Sequence, residues 1–255
     1  MTKIVAITNN KGGVAKTTTA LNLGGGLAKQ GKRVLLIDLD PQSNLSSAFR
    51  LDIRSEDNIG NVLLKRKSIS DILHQGELMD ILPASLQMIG LEKELISATA
   101  RESALNNALK KIKGNYDWIL IDCPPNLGTY TANAFVCSDF YLVPFQTEFF
   151  SFTGLSNILH FAEAIQEDLN PELELLGILL TKYNDGQRGN VPKAIAKEVR
   201  ENEIVGNKVF KTSIRQSIPL IESPMSGKTI FEYAPESNGA KDYQNLTEEI
   251  LQMYV

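Results

Sequence analysis

Short, mostly apolar runs recur along the chain and alternate with stretches of helical periodicity. Runs of this length, bounded by turn residues, are typical of strands buried on both faces of a parallel sheet. We predict seven such strands, at residues 4–7, 34–39, 79–82, 118–121, 140–143, 175–180 and 209–214.

Helical patterns fill the intervals between these runs. The predicted helices are 17–30, 86–113, 129–137, 154–169, 192–201 and 241–253. Strands that alternate with helices predict an α/β fold, with a doubly wound, mostly parallel sheet and helices on both faces. Glycines 24–26 lie inside the first helix, and we interpret them as a close approach of that helix to the sheet. No shift in composition divides the chain, so we expect one domain over residues 1–255.

Composition excludes several classes of protein. The 255 residues are 43% hydrophobic with a net charge of −4, which argues against a wholly basic surface. No apolar run approaches the ~20 residues that span a bilayer, and the start lacks a charged and apolar leader, so we expect a cytoplasmic protein. Cys123 and Cys137 fit neither a disulfide framework nor a metal pair, and we predict buried structural thiols.

A glycine-rich segment, NNKGGVAKTTT at residues 9–19, follows the first predicted strand directly. Such a turn between strand and helix aims backbone N–H groups and a helix N-terminus at one point, which suits a triphosphate. Lys16 is placed to reach the β- and γ-phosphates, and the Thr17 hydroxyl to ligate magnesium. The strict pattern G-x-x-x-x-G-K-[ST] is not met, because Asn10 and Ala15 stand at its glycine positions.

The segment matches a variant pattern, K-G-G-x-x-K-T-[ST], in which Lys11 is an additional lysine. The predicted nucleotide contacts are Lys11, Gly12, Gly13, Val14, Ala15, Lys16, Thr17 and Thr18. If the turn needs a positive φ at position 15, alanine costs about 1–2 kcal/mol there and places a methyl near the phosphates. A second motif, SGKT at 226–229, follows no strand, and we interpret it as unrelated to phosphate binding.

Three carboxylates stand at the ends of two predicted strands. Asp38 and Asp40 follow the second run, and Asp122 ends the fourth as a Walker-B acid does. Ligands bind at the carboxyl ends of strands in doubly wound sheets, so we predict Asp38 and Asp122 as magnesium ligands beside Thr17. A single aspartate at a strand end can equally cap a turn.

These segments, together with residues 214–228, follow the order found in the ParA/Soj family of ParA/MinD-type ATPases, which the chain resembles over nearly its whole length. The resemblance implies ATP and Mg²⁺ as cofactors and a homodimer with two ATP molecules at its interface. It implies that Lys11 reaches the partner's phosphates and that Asp40 orients the attacking water. It further implies slow hydrolysis until a ParB-like adaptor stimulates it.

The same resemblance points to Asn184 as a residue that contacts the base. An asparagine in a turn explains that residue equally well.

The surface that such a dimer binds distinguishes members of the family. Residues 182–241 carry ten bases against seven acids, and residues 161–176 carry five acids and no base. We predict non-specific, nucleoid-associated DNA binding through phosphate contacts, with Arg215 as the main candidate and Arg188, Lys211 and Lys228 as further ones. An ordinary solvated surface is the alternative for each of them.

Two other functions are weighed against DNA binding. The C-terminal segment 244–255 contains Glu248 and Glu249 and no base, so anionic lipid would repel it and we expect no membrane binding. A MinD-like membrane-associated regulator is the alternative function. A relative of the nitrogenase iron protein would hold a metal cluster between two subunits through two cysteines of each. Cys123 lies inside the segment that follows Asp122 at the end of the fourth strand, so we expect no cluster there.

Overall fold

A parallel sheet of six strands organises the part of the chain that the computed structural model describes, residues 1–148, 151–186 and 189–254. The strands are β1 Lys3–Ile7, β2 Val34–Asp38, β3 Asp80–Leu82, β4 Trp118–Asp122, β5 Phe140–Gln146 and β6 Glu174–Thr181. Their order is β3-β2-β4-β1-β5-β6, and each neighbouring pair runs parallel. The carboxyl ends of β1, β2 and β4 therefore lie side by side at the middle of one sheet edge.

Helices cover both faces of this sheet. They are α1 Lys16–Lys29, α2 Asn44–Ala48, α3 Ile59–Leu63, α4 Ile69–Ile72, α5 Met88–Ile96, α6 Ala104–Leu109, α7 Thr129–Cys137, α8 Ser151–Asp168, α9 Asn190–Glu201, α10 Pro219–Met225, α11 Ile230–Tyr233 and α12 Asn238–Gln252. Leu35 and Ile37 of β2 belong to the apolar cluster under α3–α9, and Leu36 belongs to the cluster under α1 and α12. Burial on both faces explains the continuous apolar runs, and the predicted doubly wound α/β fold is confirmed.

Helix α1 lies close to the sheet and to α12. A Cβ on Gly24 would lie 2.7 Å from Met79 Sδ and 2.9 Å from Leu36 Cδ2, and one on Gly26 would overlap the Thr247 hydroxyl. The glycines are therefore required by close packing, as predicted from the sequence.

The prediction of a seventh strand at residues 209–214 is wrong. This segment runs beside β6 but forms only two isolated bridges, Val209 with Ile178 and Ile214 with Thr181. Between them, the backbone N–H groups of Lys211 and Thr212 donate to the two carboxylate oxygens of Glu249, at 2.7 and 2.9 Å. The backbone N–H groups of these two adjacent residues thus bind a side chain of α12 instead of β6.

The single helix predicted for residues 86–113 is also wrong. The chain leaves α5 after Ile96, and Ala100 adopts a left-handed conformation with φ 53° before a short 3-10 turn and α6. The Asn133 side chain of α7 accepts the Leu105 N–H at 3.0 Å and donates to the Arg101 carbonyl at 2.8 Å. A tertiary contact therefore fixes the start of the second helix, which periodicity alone does not reveal.

Across the described residues, no helix combines the length and the apolarity needed to cross a membrane.

Candidate nucleotide-binding site

The loop between β1 and α1 is held in two left-handed turns. Gly13 has φ 75°, and Ala15, the residue before α1, has φ 74° and ψ 30°. Position 15 therefore does use a positive φ, as the sequence pattern suggested for its usual glycine. An alanine in this conformation costs about 1–2 kcal/mol.

Side chains from neighbouring strands fix the loop. Asn9 donates from Nδ2 to the Pro144 carbonyl at 2.7 Å, and its Oδ1 accepts the Lys11 N–H at 3.0 Å. The Thr181 hydroxyl donates to the Val14 carbonyl at 3.1 Å. The loop is thus tied to the ends of β5 and β6 before any ligand binds, which reduces the entropy that binding must remove.

A cavity of about 720 Å³ opens in front of this loop. Its volume falls in the range of about 300–1,000 Å³ that is usual for small-molecule sites. Its lining comprises Gly12, Gly13, Ala15, Lys16, Thr17, Thr18, Asp40, Gln42, Asn44, Ser47, Ala48, Pro125, Lys182, Leu220, Ile221, Pro224 and Met225. The loop residues in this lining suit an anion, and the part of the lining from α10 is apolar.

Lys16 provides the positive charge at the centre of the cavity. Only 7% of the residue is exposed, and its Nζ donates to the Lys11 carbonyl at 3.0 Å. Burial lowers the pKa of this ammonium, while Asp122 and Asp40 act in the opposite direction. The loop curls around the amine and leaves it facing the two carboxylates.

Asp38 is buried and fully hydrogen-bonded within the protein. Its Oδ1 accepts the Asp40 N–H at 3.1 Å, and its Oδ2 accepts the Ser46 N–H at 2.8 Å and the Ser46 hydroxyl at 2.7 Å. Burial nevertheless raises the pKa of Asp38 to about 7. The hydrogen bonds fix the orientation of this carboxylate, and its role as a magnesium ligand stays a prediction.

Asp122 differs from Asp38 in its hydrogen bonding. It is 1% exposed, and within the described residues neither of its carboxylate oxygens has a hydrogen-bond partner. Burial raises the pKa of Asp122 well above its usual value, the Asp38 carboxylate raises it further, and the Thr17 hydroxyl acts to lower it. A buried carboxylate whose oxygens accept no hydrogen bond is strongly unfavourable, and the charge of Lys16, which lowers the pKa of Asp122, offsets this only in part.

The residues around Asp122 fit a magnesium ion. Magnesium prefers carboxylate and hydroxyl oxygens together with water and substrate phosphate, and Asp122 and Thr17 offer the first two beside the phosphate-binding loop. The two unpaired oxygens of Asp122 are the observation that supports this assignment.

Lys11 and Asp40 stand at the rim of the site. The Lys11 ammonium forms an ion pair with Glu148 of the same chain, and both side chains remain partly exposed. Asp40 is 8% exposed, and its Oδ1 accepts the Gln42 N–H at 2.9 Å. Burial raises the pKa of Asp40, while that hydrogen bond and Lys16 lower it. Asp40 is thereby a fixed carboxylate at the edge of the phosphate cavity.

Comparison with known proteins identifies the family. A family model described as "AAA domain" matches residues 2–175. The sporulation initiation inhibitor protein Soj of Bacillus subtilis is 42% identical over 253 residues, which cover 98% of each chain. The chromosome partitioning protein ParA of Myxococcus xanthus is 38% identical over 254 residues, covering 98% of this chain and 88% of that protein. The chain belongs to the Soj/ParA family of ATPases.

A solved structure of another protein shares the fold. Cobyrinic acid a,c-diamide synthase from Mycobacterium smegmatis, with bound ADP and magnesium, superposes with a TM-score of 0.86 at 32% identity, covering 100% of this chain and 96% of the other. The nucleotide and magnesium predicted from the loop and the acids are thus confirmed at the level of related structures.

Some residues at this Soj/ParA site were missed from sequence. Ser46 holds Asp38 in place and also accepts the Ala84 N–H at 2.8 Å, and Glu148 pairs with Lys11. Lys182 lines the cavity from a left-handed position, with φ 51°. Ser46 lies on a five-residue helix with no periodic signal, so only the fold reveals its role.

The structure separates Asn184 from the phosphate cavity. Asn184 lines a groove of about 410 Å³ with Lys211 and Arg215, and its Oδ1 accepts the Gly186 N–H at 2.9 Å. This hydrogen bond is typical of an asparagine in a turn, which is the alternative explanation for Asn184. Base contact by Asn184 stays a prediction.

The predicted DNA-contacting residues of this family member fall into different places. Arg215 and Lys211 share the groove just described, whereas Lys228 lines a separate cavity beside Phe49 and Glu77. Arg188 lies outside the described residues.

Two smaller predictions concern the SGKT motif and the cysteines. In the SGKT motif at 226–229, Thr229 caps the N-terminus of α11 in a capping box with Glu232, which gives the motif a structural role. Cys123 and Cys137 are buried, and burial raises the pKa of Cys137 to about 12.

Proposed function

We propose that this chain is an ATP-switched partition ATPase that dimerises on ATP, binds DNA without sequence preference and releases it after adaptor-stimulated hydrolysis. The observation that carries the proposal is a buried lysine, Lys16, beside Asp122, a buried acid whose oxygens accept no hydrogen bond. The loop at this site carries a second lysine, Lys11. Residues 1–255 would act as one ATPase domain.

Each residue has a physical role in this reaction. Lys16 and the N–H groups of residues 12–18 neutralise the phosphates, and bound Mg²⁺, held by Asp122 and Thr17, would supply further positive charge to the β- and γ-phosphates. Asp38, which Ser46 holds in place, would offer a further carboxylate to the metal. Asp40 accepts a hydrogen bond from the attacking water and positions it for in-line attack on the γ-phosphate.

Lys11 is proposed to complete the site of a second copy. In the single chain its ammonium pairs with Glu148, so its charge is not directed into its own phosphate cavity. A site that needs a lysine from another copy hydrolyses ATP slowly until assembly is productive, and a ParB-like adaptor would act at that step.

DNA is the proposed surface partner, with the dimer associated with the nucleoid. Tyr243, Leu246 and Ile250 of α12 are 0% exposed, because they pack into the core under α1. The apolar face of the C-terminal helix is therefore already used within the fold, which supports DNA over lipid as the binding surface.

The test is the anisotropy of a labelled random DNA duplex, measured with ATP, with ADP and without nucleotide, alongside sedimentation for dimer formation. Asp40→Ala should bind ATP, stay dimeric and remain on DNA, since only water positioning is lost. Lys16→Ala should lose every nucleotide-dependent effect, and exposed Lys32→Ala is the matched control. A monomeric Asp40→Ala protein in ATP would refute the role given to Asp40.

DNA binding should also weaken steeply as salt increases, because phosphate contacts release counterions. Binding to anionic liposomes in ATP, with none to DNA, would replace the proposal by the membrane-associated alternative.

A further inference from the structure

Two acids of α12 organise the segment that replaces the seventh strand. Glu249 accepts the N–H groups of Lys211 and Thr212, and Asp242, seven residues earlier, accepts the N–H of Arg215 at 2.9 Å. Residues 242 and 249 lie two turns apart on one face of the helix. The path of residues 211–215 is therefore set by α12 together with the bridge between Ile214 and β6.

The same Asp242 also fixes the Arg215 side chain. The Arg215 Nε lies 3.1 and 3.0 Å from the two Asp242 oxygens, and Nη2 lies 2.6 Å from Oδ1. The Asp242 side chain is 7% exposed and that of Arg215 is 34% exposed. The acid is thus at the base of the pair, and part of the guanidinium faces solvent.

A guanidinium has five N–H groups in a planar fork, and a bidentate carboxylate uses two of them. Within the described residues, Nη1 of Arg215 makes no protein hydrogen bond. The remaining donors can therefore bind a second anion while the pair with Asp242 stays intact.

The groove beside this pair offers further donors. Its lining is Asn184, Asp185, Lys211, Thr212, Ser213, Arg215, Asp242 and Asn245. Its two acids are already committed, Asp242 to Arg215 and Asp185 to Arg200 and the Tyr183 hydroxyl. The Lys211 ammonium has no carboxylate within ion-pair distance among the described residues.

We infer that this groove binds a backbone phosphate of DNA, and that Asp242 is a positioning residue that holds Arg215 in the orientation for that contact. The inference rests on the DNA binding proposed above and names the part of the surface responsible. Arginine side chains lose rotamer freedom when they bind, and a carboxylate that fixes the side chain beforehand removes that cost.

The sign of the Asp242→Asn effect is the central test. Removal of a negative charge beside a polyanion should by itself tighten binding. Positioning predicts the reverse, a three- to tenfold weaker affinity for the random duplex in ATP. Glu248→Gln removes the same charge from the exposed face of the same helix and should not weaken binding.

Arg215→Lys and Arg215→Ala provide the second test. If only charge matters, Arg215→Lys should bind as the unmodified protein does. If the fixed fork matters, it should lose most of the affinity that Arg215→Ala loses. Arg215→Ala should also lower the slope of log affinity against log salt by about one phosphate contact. The double variant Arg215→Ala/Asp242→Asn should be no weaker than Arg215→Ala.

The outcomes separate this inference from the function on which it rests. Melting temperature and ATP-dependent dimerisation are measured for each variant, so a folding defect is detected directly, and Arg215→Lys remains a test if Asp242→Asn does not fold. If DNA binding is unchanged in Arg215→Ala, or is tighter in Asp242→Asn, the inference that this groove binds a DNA phosphate is overturned. The proposed partition function then still stands. No DNA binding by the unmodified protein, with ATP uptake confirmed, overturns both.

Discussion

Ala15 places a methyl group in a backbone conformation that normally belongs to glycine, at the point where α1 begins and the phosphate cavity opens. The methyl lines that cavity beside Lys16 and Thr17. Conformational strain, and the contact that a bound phosphate would make with the methyl group, therefore concern the same residue.

Ala15→Gly should raise the affinity for ATP by about tenfold, because a bound phosphate would no longer meet the methyl group. Relief of the backbone strain, which is present without nucleotide, should separately raise the free energy of unfolding by about 1–2 kcal/mol. Titration calorimetry measures the affinity directly. Ala100→Gly is a matched control, because Ala100 also has a positive φ but lies away from the cavity. The control should leave ATP affinity unchanged, and an unchanged affinity in Ala15→Gly would show that the methyl is no handicap.

We expect Asp122 to lower the stability of the protein without nucleotide while it supports nucleotide binding. Asp122→Asn removes the cost of burying an ionisable carboxyl whose oxygens accept no hydrogen bond, so the protein without nucleotide should gain about 1–3 kcal/mol in free energy of unfolding. It should also lose magnesium-dependent nucleotide binding. Urea denaturation and nucleotide titration check the two effects. A destabilised Asp122→Asn protein would mean that the carboxylate is compensated within the fold.

Most of the chemistry could be predicted from single residues because the loop and the acids are adjacent to strand ends. Lys16, Thr17, Asp38, Asp40 and Asp122 do meet at one edge of the sheet. The supporting contacts could not be predicted, since Ser46 and Glu148 join the site through the fold, eight and 137 positions from their partners.

At the scale of elements, the prediction succeeded where burial on both faces left a continuous apolar run. Six of the seven predicted strands are present among the described residues. It failed where tertiary hydrogen bonds decide, as at residues 209–214 and at the break near Ala100. Short helices such as α3 and α10 contain Gly60 and Pro224, which are weak helix formers, so their sequence gives little local signal.

The contact between α1 and α12 allows a test at this scale. Gly26→Ala gains about 1 kcal/mol in helix propensity but forces a methyl into Thr247. We expect a net loss of about 1–3 kcal/mol in stability, as is usual for overpacking. Thermal or urea denaturation measures it. Thr247→Ala should restore part of the loss in the double variant, and a Gly26→Ala protein as stable as the original would contradict the packing argument.

For the whole molecule, the ion pair of Lys11 with Glu148 opposes the proposed dimer, which needs Lys11 elsewhere. An exposed pair contributes about 0.2–1 kcal/mol, and two such pairs are broken per dimer. Glu148→Gln should therefore tighten the dimer, lowering its dissociation constant in ATP by about 2- to 30-fold. Sedimentation velocity over a range of protein concentrations measures this change.

Glu94→Gln is the matched control for that experiment, because Glu94 forms a similarly exposed pair with Arg66. It should not change dimerisation. Weaker dimerisation of Glu148→Gln would instead assign Glu148 to the interface itself.

The segment at residues 209–214 also has a consequence for the solubility of the whole protein. β6 is an outer strand of the sheet, and an uncovered outer strand invites pairing with a strand of another molecule. The segment covers β6 through bridges at Val209 and Ile214, and α12 holds it there. We therefore expect that copies of the chain do not join edge to edge into open-ended aggregates, and that the nucleotide-binding face stays free for the proposed dimer.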